Sequence, residues 1–464
     1  MPDPTLLPVA EQASLLRSGA LSPVELIDQS FARIDAIDPH LRLFTWQDRE
    51  RARASALDAE RRYRAGGELP ALLGVPFTVK EQIPVAGAPQ TFGSALYRDH
   101  VASADDPSVQ RLRNAGGILL GTTTMPEFGA KASTDSRLFG ITRNPWDPSR
   151  TTGGSSGGAA AAVAVGAGAI AVGTDIAGSV RIPASCCGVL GIKPTLGAIP
   201  QVHALDLFNA LGHQGTLTRS VADAALALEV LIGPDPRDPW SLRAPRRALR
   251  DAAQADGDLR GLRVAWLPEV GKGPADAQVL QAGERVANAL REAGATVAQH
   301  RLDLSDSGAA FEPTVLALKR RFLGERYPAQ ADQLDPGFRG WLDARLPQLS
   351  ADELQHAQFA RTRLLRRIQG LFAEVDVLLT PALSAPPLAA DGTDGDFDWI
   401  HYLHPFNLSG HPAMSLPAGL SREGWPLGVQ LVGPWYAEDR LLRVAAHLQQ
   451  RLPWGTPDLG RWLP

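Results

Sequence analysis

Cysteine is nearly absent from this sequence. The 464 residues include two, Cys186 and Cys187, and they are adjacent. Adjacent cysteines cannot staple a disulfide framework, and their spacing matches no usual metal motif. A plain core role suits them. A surplus of one charge is lacking as well: 46 basic and 50 acidic residues leave a net charge of -4. No global basic field argues for nucleic-acid binding. Dinucleotide fingerprints are missing, because no GxGxxG follows the strand expected at 262–267, and GVLGIK and GAGAIAVG fail the same test. No serine sits in a GxSxG elbow. No repeat with a period of 20–50 residues is visible. The opening MPDPTLLPVAEQ lacks a basic start and an apolar core, so no signal peptide, no membrane anchor and a cytoplasmic location are expected. The one long apolar run, 159–172, is too glycine-rich and too closely flanked by polar turns to read as a membrane span.

What is present centres on Gly153 to Pro194, GGSSGGAAAAVAVGAGAIAVGTDIAGSVRIPASCCGVLGIKP. Two serines, Ser155 and Ser179, occupy glycine-lined turns at either end of the apolar run. Glycine permits close backbone approach and unusual dihedrals, at an entropic cost that needs a reason. The stretch reads as a turn, a helix entering near Gly157, a buried strand, and a second turn at 174–179. Before it, Ser22, Pro23 and Glu25 form a capping box that starts a helix reaching about Ile37. A charged helix over 47–64 follows. Residues 1–70 therefore read as an N-terminal helical layer. The remainder, 71–464, reads as a single α/β domain, with 235–260 a surface excursion and 308–372 a helical cover. The strand–helix–strand succession 262–267, 275–293 and 295–300 favours α/β architecture.

Lys80 ends a short strand at 75–79 and enters a Gly/Pro-rich loop. Taken alone, such a lysine is a solvated charge or one arm of an ion pair with Glu81. Beside the serine turns it gains a chemical reading. A serine hydroxyl is a weak nucleophile until a base removes its proton. Lysine can be that base if burial holds it neutral. Lys80, Ser155 and Ser179 form the constellation to test. Ser179 is the better nucleophile, because it ends a compact turn whose backbone N–H groups can converge on one anionic oxygen. Ser155 can donate and accept, as a relay requires. Asp175 is expected to hold the turn and Arg181 to pair with it. His203, His213, His404 and His411 remain available as alternative bases. Glu127 has no partner at acid/base spacing.

These residues carry a resemblance to the amidase signature family. GVPFTVKE at 74–81, GGSSGG at 153–158, GTDIAGSVRIPA at 173–184 and GVLGIKPTLGAIP at 188–200 match its core pattern. GTLTRSVAD at 215–223, DVLLTPA at 376–382 and NLSGHPAMSLPAG with GWPLGVQLVGP within 407–434 resemble its outer landmarks. The resemblance implies a large, mixed, twisted sheet covered by helices on both faces. It implies a Ser–cis-Ser–Lys hydrolase of carboxamides, with Ser179 the nucleophile, Ser155 the bridging serine after a cis peptide, and Lys80 the base. The oxyanion hole would map to the N–H groups of Ile176, Ala177, Gly178 and Ser179, supported by Gly154, Ser156, Asp175 and Arg181. No cofactor or metal is implied, and the partner is a small-molecule amide met by a monomer or homodimer.

The chain departs from the family pattern at three places. Ala177 stands where glycine is common, Glu81 where aspartate is common, and Thr123 where asparagine is frequent. Ala177 could resist a positive dihedral or narrow the pocket. Segments 201–214, 308–350 and 383–406 are expected to line the substrate pockets, with Phe208, Phe311, Trp341, Trp399 and Tyr402 as apolar walls or ordinary packing. A stand-alone amidase for small, partly apolar amides is the first reading. Its rivals are an amidotransferase component that supplies ammonia for tRNA-dependent transamidation, and a noncatalytic binding module. The chain has only 5 tyrosines, and the tyrosine- and arginine-bearing segment of the amidotransferase branch is not found after Pro200.

Overall fold

Alternation along the central strands decides the layering. In a strand, successive side chains face opposite ways. Leu119 thus enters one core and its neighbours Ile118 and Leu120 another. Ile170 and Val172 likewise join the first, while Ala171 joins the second. Both faces of the sheet are therefore buried, which matches the near-continuous apolar runs of these strands. A computed structural model describes residues 3–208, 210–243, 248–254, 258–391, 398–452 and 454–462.

The strands are β1 Phe44–Gln47, β2 Pro76–Lys80, β3 Ile118–Thr123, β4 Asp135–Ser136, β5 Gly140–Ile141, β6 Ile170–Asp175, β7 Leu190–Lys193, β8 His213–Thr218, β9 Arg263–Trp266, β10 Thr296–Gln299, β11 Val377–Pro381, β12 Ala413–Leu420 and β13 Pro426–Val432. β4 and β5 form a small hairpin. The other eleven make one mixed sheet in the order β1-β3-β2-β6-β8-β7-β12-β13-β11-β9-β10. Helices Pro23–Leu41 and Gly157–Ala164 bury their apolar sides on one face, and helices Val221–Leu231, Ala277–Glu292 and Glu438–Arg451 on the other. The expected α/β class, with a large mixed sheet between helical layers, is the observed one.

The local signals explain the elements. Ser22 caps the first long helix through a capping box with Glu25, although the helix runs on to Leu41 rather than stopping near Ile37. Ser220 accepts from the Asp223 N–H at 3.1 Å and starts the helix Val221–Leu231. The N-terminal 70 residues are not wholly helical. Phe44–Gln47 is an edge strand paired antiparallel with β3, a four-residue element too short for a clear alternating signal. A short helix, Arg181–Cys187, follows the second serine turn, where the sequence reading placed none. Residues 307–372 are mainly helical, as Ser307–Leu323, Pro336–Arg345 and Ala351–Phe372. Parts of the expected excursion at 235–260 (244–247 and 255–257), and 392–397 of the expected lining segment, lie outside the described residues. Among the described residues no helix is long and apolar enough to cross a membrane.

The connectivity positions the site. β2 is parallel to both its neighbours, β3 and β6. The chain passes from β2 to β3 on one side, then crosses to β6 on the other. Such a switch point leaves a crevice at the carboxyl ends of the strands, where α/β sheets commonly bind ligands. Lys80 is the last residue of β2, and Thr174 and Asp175 end β6.

Candidate active site

Ser155 sits just before the helix Gly157–Ala164, in the crossover that returns from β3 to β6. The peptide between Gly154 and Ser155 is cis. Position 154 must be glycine: an added Cβ would stand 2.2 Å from the Ser133 carbonyl oxygen. Lys80 reaches the serine from β2. Its Nζ donates to Ser155 Oγ at 2.7 Å and to Thr174 Oγ1 at 2.8 Å. Thr174 in turn donates to Gln82 Oε1 at 3.1 Å.

Lys80 is completely buried. Burial pushes its pKa well below the ordinary lysine value, and the positive charge of Lys319 pushes the same way; Asp175 and Glu81 oppose them. Glu81 is no ion-pair partner for it. That carboxylate turns to Thr91 and to the Gly93 N–H. Among the described residues the lysine therefore has hydroxyl partners and no paired carboxylate, the setting that favours a free amine.

The two serine turns are tied together through Ser156. Its N–H donates to the Ser179 carbonyl at 3.1 Å, and its Oγ to the Thr174 carbonyl at 3.2 Å. Relative exposure rises from Lys80 at 0% to Ser155 at 2% and Ser179 at 7%. Burial is thus complete at Lys80 and least at Ser179.

Asp175 organises the turn around Ser179. Its Oδ1 accepts from the Gly178 N–H at 2.8 Å and its Oδ2 from the Val180 N–H at 3.2 Å. Arg181 grips both oxygens, Nε to Oδ2 at 3.0 Å and Nη2 to Oδ1 at 2.9 Å. Burial alone would raise this carboxyl; the Arg181 guanidinium overcomes it and holds it below the usual carboxylate range. Such a two-pronged pair is stronger than a single contact. Asn407 donates to the Asp175 carbonyl at 2.9 Å and to its Oδ1 at 2.8 Å. Arg181 also donates to Gln430 Oε1 at 2.6 Å and to Asn407 Oδ1 at 2.7 Å. Residues from three distant parts of the chain thus fix one turn.

This network corrects the expected oxyanion hole in one respect. The Gly178 N–H is already engaged by Asp175. Among the described residues, the N–H groups of Ile176, Ala177 and Ser179 bind no acceptor. The expected resistance of Ala177 to a positive dihedral does not arise. The left-handed dihedral of the turn belongs to Gly178, at φ 111°, and Ala177 keeps an ordinary negative φ. A side chain at 178 would also strike Leu403, with a Cβ only 2.6 Å from its Cδ1.

The four histidines are elsewhere engaged. Among the described residues none bonds to Ser155 or Ser179. His213 Nδ1 pairs with the Leu211 carbonyl, His404 with Ser307, and His411 with Ser409 and Gln369. Burial drives the pKa of His404 and His411 down to about 3. His203 lies 3.8 Å from Asp106. Glu127 is structural, accepting from Ser94 Oγ and the Asp335 N–H, both at 2.6 Å. Cys186 and Cys187 are buried free thiols whose pKa burial raises.

A cavity of about 700 Å³ opens beside the site, reaching it at Gln82, Thr174 and Ile176. Segments 201–214 and 308–350 contribute to its walls, as expected. The five aromatics named from the sequence do not. Phe208 is 80% exposed, Phe311, Trp399 and Tyr402 are packed in cores, and Trp341 packs against the Phe338 cluster. The aromatic walls are Phe92, Phe128, Phe322 and Trp240. Sequence reasoning also passed over Thr174, Gln82, Asn407, Gln430 and Lys319. Thr174 lay within a quoted motif, one residue before Asp175. Asn407 and Gln430 lay within quoted landmarks without a role. Lys319 carried no signal beyond its helical segment.

The amidase family model matches residues 25–442. An acylamidase of Rhodococcus erythropolis is 35% identical, covering 97% of this chain and 96% of that protein. A component of the glutamyl-tRNA(Gln) amidotransferase of Prochlorococcus marinus is 34% identical, covering 95% of this chain and 96% of that protein. The solved structure of a 6-aminohexanoate cyclic dimer hydrolase superimposes with a TM-score of 0.87 at 30% identity, covering 98% of this chain and 99% of that one. With the family model spanning most of the chain and these likenesses nearly end to end, the chain belongs to the amidase signature family, hydrolases that act on the C–N bond of amides.

Proposed function

We propose that this protein is a stand-alone amidase that hydrolyses small, partly apolar carboxamides to a carboxylate and ammonia or an amine, through an acyl-enzyme on Ser179. The observation that carries the reading is the 2.7 Å contact between Ser155 Oγ and the Nζ of a fully buried Lys80. A neutral amine there has a lone pair for the Ser155 proton. Ser155 takes the Ser179 proton in the same movement, and Ser179 Oγ bonds to the substrate carbonyl carbon. The unengaged N–H groups of Ile176, Ala177 and Ser179 stabilise the oxyanion. Loss of one such donor costs roughly 3–4 kcal/mol in comparable sites.

Collapse of the tetrahedral intermediate breaks the C–N bond. Protonated Lys80 returns its proton through Ser155 to the leaving nitrogen. A water then gives its proton through Ser155 to Lys80 and attacks the acyl carbon; as the bond to Ser179 Oγ breaks, that proton returns through Ser155 to Ser179 and the carboxylate leaves. The apolar and aromatic cavity walls support a partly apolar substrate. The likeness to an amidotransferase component keeps a second reading in view, in which the released ammonia passes to a partner.

The test is a panel of aliphatic, aryl and anilide amides with product identification. Turnover by the isolated chain, lost by at least about 10⁴-fold in Ser179→Ala, is the expected result. Unchanged turnover in S179A would sink the reading. Amide cleavage that appears only with copurified partner chains, coupled to ammonia transfer, would favour the amidotransferase.

A further inference from the structure

Lys319 places a half-buried positive charge beside the site. It lies on the helix Ser307–Leu323, in the wall of the same cavity that reaches Gln82 and Thr174. Its ammonium donates to the main-chain carbonyl of Phe128. Phe128 precedes Gly129, where an added Cβ would stand 3.0 Å from Ser155 Oγ. Gly129 is packed closely against the proposed relay serine, so its neighbour Phe128 holds the ammonium near that serine. Its charge is also felt at Lys80.

Among the described residues no carboxylate forms an ion pair with Lys319. Asp106, Asp206 and Asp238 also line the cavity. Asp106 is engaged by Ser108 and Gln214, and Asp238 by the N–H groups of Gln201 and Trp240. Burial lowers the Lys319 pKa to about 8, so it still carries charge at neutral pH. A desolvated ammonium with one carbonyl partner has two donor positions left over. Leaving such a cation unpaired is costly, and a bound anion relieves that cost.

We propose that Lys319 is a specificity-determining residue that receives an anionic group, a carboxylate by its chemistry, on the substrate amide. The inference rests on the amidase reading, and it narrows the substrate class to amides that carry a carboxylate remote from the scissile bond. Phe92, Phe128 and Phe322 would pack against the apolar linker between the two groups.

The test measures binding separately from turnover. Succinamate and 4-carbamoylbenzoate are titrated against the Ser179→Ala protein, beside their neutral counterparts butanamide and benzamide. At least one anion is expected to bind about tenfold or more tighter than its neutral partner. Lys319→Gln in the same background should bring the pair within about threefold, and Lys319→Arg should keep the preference. In the Ser179 protein, Lys319→Gln should raise KM for the anionic amide while the neutral amide keeps its KM. No preference for either anion, or an equal loss for anionic and neutral partners in Lys319→Gln, would overturn the assignment. Failure of the amidase reading would look different: the binding preference would persist, and no amide would be turned over.

Discussion

Two lysines of this protein invite comparison. Lys80 ends β2 and Lys193 ends β7; both are completely buried, and burial drives both pKa values well below the ordinary lysine value. Their surroundings differ in kind. Lys80 meets two hydroxyls, Ser155 and Thr174. Lys193 meets two main-chain carbonyls, those of Pro194 at 3.2 Å and His411 at 2.5 Å. A carbonyl can only accept, so Lys193 has nowhere to send or collect a proton. A hydroxyl can do both. Burial and a depressed pKa are therefore insufficient signs of a base; the proposed relay differs from a strut in its partner's chemistry.

The comparison breaks most visibly at Lys80. Lys80→Met should lower kcat/KM by about 10²–10⁴-fold, the range for loss of a general base. The pH profile sharpens this. Because the Lys80 pKa is depressed, the amine is neutral at pH values where ordinary lysine is charged. Activity should therefore fall as acid protonates it and level off well below the pH of an ordinary lysine. A profile that climbs through the ordinary lysine range, about pH 10.4, would put the base elsewhere. Next in size is Thr174→Val. It removes one of the two hydroxyls on Nζ and should cost roughly tenfold in kcat/KM, the equivalent of one hydrogen bond.

The smallest effect on activity is expected at Lys193. Lys193→Met should change kcat/KM by less than about tenfold. Its mark should be on stability instead. The Lys193 pKa is lower in the folded chain than in the unfolded one, so the unfolded chain binds more protons below the ordinary lysine range and folding stability rises with pH there. Denaturant titrations between pH 7 and 10 should show that slope reduced in Lys193→Met, by at most about 1.4 kcal/mol per pH unit. A large activity loss with the slope unchanged would erase the distinction between the two lysines.

Much of this site was legible in the sequence because its chemistry is local. Ser155 and Ser179 lie in glycine-rich turns whose small residues only make sense where backbones approach closely, and Lys80 and Asp175 end the strands beside them. The capping box at Ser22 announced its helix for the same reason. What escaped depends on distance along the chain. Asn407 is 232 residues from the aspartate it holds, and Gln430 is 249 from Arg181. No local pattern encodes such pairings. The cavity walls failed similarly: Phe208 and Trp399 were singled out by residue type within variable segments, whereas burial against a particular surface decides which aromatics face the substrate. β1 was hidden by its length, four residues at a sheet edge.

A neutral Lys80 that draws the Ser179 proton through Ser155 leaves a trace in covalent labelling. The most direct measurement is the rate and site of labelling by a fluorophosphonate, followed by peptide mapping, in the native protein and in Lys80→Met. The account expects label on Ser179 alone, at a rate that rises with pH as Lys80 loses its proton and collapses in a folded K80M protein. Label on Ser155 in place of Ser179, or undiminished labelling of Ser179 without Lys80, would contradict it.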